Sequence, residues 1–135
     1  MSHNLLQHDE QLAVVRLGPG ADLPSWAASG TLLSVTATAV ETSIVAAQQV
    51  VPKKARQEGP FTAFSVEGPL DFALTGVLHQ LLGPLAEAEI TVFTVSTFDT
   101  DWILVPASSA AAAADAWRRS GHTVRPAHEA AEGTT

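Results

Sequence analysis

Cysteine is absent from the 135 residues, which removes disulfides, thiolate metal sites and cysteine nucleophiles from consideration. Positive charge is scarce: seven Lys and Arg stand against fourteen Asp and Glu, for a net charge of −7. Nucleic-acid binding needs clustered Lys and Arg to neutralise phosphates, so no nucleic-acid partner is expected. Lys53, Lys54 and Arg56 are the nearest thing to a cluster, and they read as a solvated surface segment. No apolar run approaches the ~20 residues of a membrane helix, and no charged-then-apolar leader opens the chain. A cytoplasmic location without membrane contact is the expectation. No two histidines have metal-ligand spacing, so no metal is expected. Gly18-Pro19-Gly20 lacks the Gly-Lys-Ser/Thr of a phosphate loop. Ser25 and Ser96 have no identifiable histidine partner for nucleophilic chemistry, and no cofactor motif is present.

What is present is an ordinary globular composition, 46% hydrophobic and 16% charged, enough for one domain or two small subdomains. Residues 1–10 and 126–135 read as polar tails. Gln11–Leu17 reads as a strand closed by Gly18-Pro19-Gly20, and Pro24–Gly30 as a helical turn stopped by glycine. Thr31–Ala39 and Ser43–Ala47 are further strands. Val50–Gln57 either opens one helical turn at Pro52 or forms an irregular connector. Phe61–Glu67 is the next strand, and Leu70–Glu87 reads as the main helix. Its apolar residues from Leu70 and Leu74 to Leu82 and Leu85 follow the three-and-four spacing of one buried face. Gly83-Pro84 interrupts that pattern with a kink or an early end. Ile90–Thr97 and Trp102–Val105 form a hairpin across Phe98–Asp101. Ser108–Ser120 is an alanine-rich helix capped by Ser108 or Ser109 and stopped at Gly121, and His122–Arg125 is a last strand.

From Phe61 the order is β-α-β-β-α-β, the split βαβ arrangement with an antiparallel sheet and both helices on one face. The first half repeats that plan in shortened form. The expected fold class is therefore α+β, with an abbreviated subdomain at 11–60 and a complete one at 61–125.

EGPLDFALTGVL followed by STFDTDWILV resembles the bacterial ACT-domain proteins related to the arginine sensor CASTOR, and LPSWA, LLSVTAT and ETSIVA match in the first half. The resemblance covers about Leu12 to Val124. It implies paired ferredoxin-like ACT subdomains, a small-ligand site at a subdomain or subunit interface, and amino-acid sensing as the commonest role. A homodimer is expected, with a protein partner for any regulatory output. Where family members often carry a basic residue after Ser-Val-Thr, this chain has Ala37, so a contact made there by a basic side chain is missing.

The candidate site lies in the same stretch. Gly68 permits close backbone approach and Pro69 suits a first helical position. The N–H groups of Leu70 and Asp71 would then sit unpaired at the positive end of the helix dipole, where a carboxylate binds. Asp71 would hold the ligand's ammonium, or simply stabilise the helix start. Asp99 and Asp101, two apart, project to one side of an extended segment and suit a cationic group or a metal. Their ordinary roles are turn shaping and solvation; the resemblance favours Asp101 as a ligand contact. Ser96 and Thr97 offer hydroxyls or backbone groups. His79 reads as a helix flank, His122 as a helix-end residue, and His3, His8 and His128 as tail residues. Trp26 and Trp117 read as packing anchors, and Trp102 as either core or site wall.

Three readings follow. The first is a non-enzymatic protein that binds an amino acid and senses or regulates, with an acidic reader that prefers a basic or neutral polar ligand. The second is an oligomerisation or interaction module whose site is vestigial. The third, a small enzyme using Asp71, Asp99 or Asp101 as acid or base, has the least support.

Overall fold

The computed structural model describes residues 2–28, 30–68, 70 and 75–128. Contacts divide the chain into two compact units, one of Glu10–Phe61 and one of Met1–Asp9 with Thr62–Thr135.

In the Glu10–Phe61 unit, β2 (Leu12–Leu17), β3 (Ser34–Ala37) and β4 (Thr42–Ala47) join the first part of β5 (Gln57–Val66). The order is β3-β4-β2-β5, antiparallel throughout. Numbered by position in the unit, this is 2-3-1-4, the strand order of a split βαβ fold. Helices are nearly absent. A turn closed by Ala27 N–H on the Pro24 carbonyl stands for the first. A 3-10 turn at Gln48–Val50 and a turn closed by Ala55 N–H on Pro52 stand for the second. Trp26 and Ala27 from one turn, with Val51 and Ala55 from the other, cover the Ala13, Val15, Ile44 and Ala46 face. The unit is an abbreviated copy because those turns bring just enough apolar surface to close a small core. Lys53, Lys54 and Arg56 are exposed.

The other unit contains β1 (Asn4–Gln7), the rest of β5, α1 (Val77–Glu87), β6 (Phe93–Ser96), β7 (Asp101–Pro106), α2 (Ala110–Arg119) and β8 (Thr123–Pro126). Its strands run in the order β6-β7-β5-β1-β8. The ferredoxin-like α+β expectation is met, with one addition. Asn4–Gln7, expected as part of a polar tail, is a strand inserted between β5 and β8, antiparallel to the first and parallel to the second. The reason is Leu5, which is fully buried beside Phe64, Val66 and Val124 in the core. Alternate residues Phe64 and Val66 of β5 and Ile103 and Val105 of β7 share that core with Leu81 and Leu85 of α1 and Ala113 and Trp117 of α2. Both helices thus cover one face.

The long helix starts later than its apolar spacing suggests. Gly76 takes a φ of 78°, a left-handed conformation that no right-handed helix accommodates, so α1 begins at Val77. Leu70 packs on the same core from outside any helix, which explains why the spacing extrapolates through it; Leu74 lies outside the described residues. The helix runs on past Pro84 to Glu87. It stops where Glu89, at φ 59°, allows its N–H to reach Ala86 O (3.0 Å) and Ile90 N–H to reach Leu85 O (2.9 Å), the paired bonds of a Schellman end. Gly121, at φ 92°, ends α2 in the same way, with His122 N–H on Trp117 O at 3.0 Å. Ser109 occupies the cap position of α2 without a side-chain hydrogen bond to it.

Candidate functional site

Ser96 and Asp101 face each other as the last pair of the β6–β7 ladder. The Ser96 hydroxyl donates to Asp101 Oδ1 at 2.7 Å, which fixes one carboxylate oxygen and leaves the other side of the group for a partner. Beyond this pair the chain turns through Thr97–Thr100. Thr97 N–H and Thr97 Oγ1 both donate to the Thr100 carbonyl, at 2.8 and 3.1 Å, so the turn is closed by its own threonine. The Thr100 hydroxyl donates to Val66 O at 2.7 Å, pinning the turn to the end of β5.

A second bond joins this turn to the segment after β5. Leu70 N–H donates to the Asp99 carbonyl at 2.8 Å. The expectation that this N–H stands free at a helix start is therefore corrected: the helix starts at Val77, and the Leu70 amide is already used. Gly68 makes the approach possible, because a Cβ there would lie 2.8 Å from Leu70 N and 3.4 Å from Asp99 O. Pro69 and Asp71 lie outside the described residues.

Between the turn and α1 is a cavity of about 310 Å³ lined by Leu70, Gly76, Val77, Leu78 and the run Ser96–Asp101. That volume is at the lower end of the ~300–1,000 Å³ range of small-molecule pockets. Five residues singled out in the sequence, Leu70, Ser96, Thr97, Asp99 and Asp101, meet there; Gly68 supports the turn from behind. Gly76, Val77 and Leu78 were not anticipated, nor were Thr100 and Phe98. The signal for the first three was Gly76, a glycine inside an otherwise helical pattern. Among the described residues no side chain caps α1, and the first N–H groups of an α-helix have no intrahelical acceptor. The positive end of the α1 dipole therefore borders a small cavity whose lining includes Asp99 and Asp101.

Three other residues singled out in the sequence find roles outside this cavity. Trp102 stacks on His8, with ring centroids 4.7 Å apart, and His8 Nε2 lies 2.8 Å from Ser65 Oγ. Burial lowers the His8 pKa, opposed by the nearby Asp9 carboxylate. His128, expected in a tail, lies 3.4 Å from Asp9. Among the described residues no group of three or more His, Asp or Glu is placed to hold a metal ion, and no helix is long and apolar enough to cross a membrane.

Comparison with known proteins agrees with this anatomy. An ACT-domain family model matches residues 57–119, and a model of an N-terminal domain matches residues 10–54. The chain is an ACT-domain protein. It belongs to the same family as Atu0741 from Agobacterium tumefaciens, whose crystal structure it matches at 30% identity and a TM-score of 0.88, over 93% of this chain and 94% of that one. VC0802 from Vibrio cholerae, described as of unknown function and a possible transport protein, superposes with a TM-score of 0.72 at 16% identity, over 88% and 90% of the two chains. The regulatory subunit of aspartate kinase from Thermus flavus shares the fold at a TM-score of 0.60 and 14% identity, over 86% and 95%. No curated protein matches the chain in sequence.

Proposed function

We propose that this protein is a non-catalytic ACT regulator that binds one free amino acid in the cavity between the Ser96–Asp101 turn and the start of α1. The observation that carries the reading is the pairing, in that single cavity, of an uncapped helix start with the Ser96–Asp101 couple. A zwitterion needs both kinds of partner. Its carboxylate suits the first-turn amides of Val77 and Leu78, which replace Leu70 in the role the sequence assigned to it. Its ammonium or a cationic side chain suits Asp101, with Ser96 and Thr97 as hydroxyl partners and Asp99 at the rim. Leu70 lines the wall and Gly68 lets it approach the turn; Pro69 and Asp71 stay candidates from the sequence, Asp71 for the ammonium. Among the described residues no lysine or arginine lines the cavity, so a basic or neutral polar amino acid is favoured over an acidic one.

The regulatory role follows the precedent of the aspartate kinase regulatory subunit, with output through a protein partner and a homodimer as the expected assembly. The test is a thermal-shift screen of the protein against the twenty amino acids. At a hundredfold excess over Kd a true ligand stabilises by ~2.7 kcal/mol, a shift of several degrees for one or two members of the panel. A flat panel would favour the interaction-module reading instead.

A further inference from the structure

The inserted strand β1 is held at its start by a pair of buried histidines. His3 and His122 are 8% and 6% exposed, and their rings stack with centroids 5.7 Å apart. His3 N–H donates to His122 Nδ1 at 3.0 Å, and in return Thr123 N–H donates to His3 O at 3.0 Å. On its other side the His3 ring reaches α1, with Nε2 3.0 Å from Gln80 Oε1. His122 is set in this place by the glycine-ended turn after α2, described above.

This geometry requires a neutral His122. Its Nδ1 accepts a hydrogen bond, so it carries no proton, and the ring's single proton belongs on Nε2. A proton added at Nδ1 would put two donors face to face at 3.0 Å and set a buried charge against a second imidazole. We propose that His3 and His122 form an acid-labile clasp on the N-terminal strand: proton uptake at His122 Nδ1 breaks the hydrogen bond donated by the His3 N–H and frees the start of β1. Because β1 separates β5 from β8, its departure leaves both of those strands with an unpaired edge, open to another strand.

Burial lowers the His122 pKa, as do the neighbouring His3 and the chain's amino terminus, against a weaker opposite effect of a hydrogen bond to the Gln80 backbone. From α1, His79 and Glu87 line the shallow cavity beside His122. From α2, Arg118 is turned to the Val124 carbonyl. A histidine whose folded pKa lies below its ordinary 6.5 gives its full stabilisation above that value. The contribution is lost as pH falls from there towards the folded pKa.

The experiment is amide hydrogen exchange of the whole chain between pH 7.5 and 5, expressed as protection factors so that the intrinsic pH dependence of exchange cancels. Protection of the Leu5, Leu6 and Gln7 amides is expected to fall with decreasing pH, by up to ~tenfold per unit, the limit for uptake of one proton. His122→Asn retains an acceptor near the Nδ1 position but does not titrate, and should flatten this dependence. Flat protection in the unmodified chain, or an unchanged pH dependence in His122→Asn, would overturn the clasp. If the variant does not fold, imidazole ¹⁵N shifts of the unmodified protein decide: His122 must titrate together with the loss of β1 protection, and titration with protection intact would overturn the proposal.

Discussion

Trp117→Ala is expected to cost about 3–5 kcal/mol of folding stability, lowering the thermal midpoint by roughly 10–20 °C. The indole is fully buried and meets Phe64 edge-on, with centroids 4.8 Å apart at 75°. Its Nε1–H donates to the Leu81 carbonyl at 2.8 Å, so one side chain ties α2 to α1 and both to β5. Alanine removes the ring from a core whose other α2 contributors are already small, Ala110, Ala113, Ala114 and Ala116. Trp117→Phe keeps most of the packing and loses the hydrogen bond, for a smaller cost of order 1–2 kcal/mol. Urea unfolding of the two variants measures both. A loss below 1 kcal/mol for alanine would mean that the helices are held to the sheet by something other than this contact.

The second large effect falls on binding. Asp101→Asn keeps an oxygen to accept the Ser96 hydroxyl (2.7 Å in the present pair), so the turn should fold as before. It removes the negative charge that would hold an ammonium, a charge-assisted interaction of ~1.5–3 kcal/mol. Affinity for the amino acid that answers the thermal screen is therefore expected to fall by about 10–150-fold. At a concentration giving ~2.7 kcal/mol of stabilisation in the unmodified protein, a hundredfold loss leaves about 0.4 kcal/mol. Calorimetric titration reads the affinity directly, and the ligand-free melting temperature serves as control. Unchanged affinity would remove Asp101 from the site.

How far the sequence disclosed this anatomy depends on the reach of each signal. The hairpin was legible because Ser96, Thr97, Asp99 and Asp101 fall within six consecutive residues, around one turn. The start of α1 was not, because three-and-four spacing records which residues are apolar and not where φ changes sign. Leu70 satisfies the spacing from a non-helical segment, while Gly76 sets the boundary. Asn4–Gln7 is too short for alternation to be seen, and its place between β5 and β8 is a long-range property. The histidines show the same limit. His3, His8 and His122 sit at the ends of elements, where sequence gives them no partner, yet the fold brings His3 to His122 across 119 positions and His8 to Ser65 across 57. The abbreviated first unit was legible as a shortened repeat, since its strands carry the β-branched alternation even where its helices are reduced to turns.

The most direct measurement is a backbone-amide chemical-shift map recorded while the chain is titrated with the amino acid that raises its melting temperature. The account requires the largest changes at Leu70, Val77, Leu78 and Ser96–Asp101, with the Glu10–Phe61 unit little affected. Changes centred elsewhere, with these amides unmoved, would contradict it.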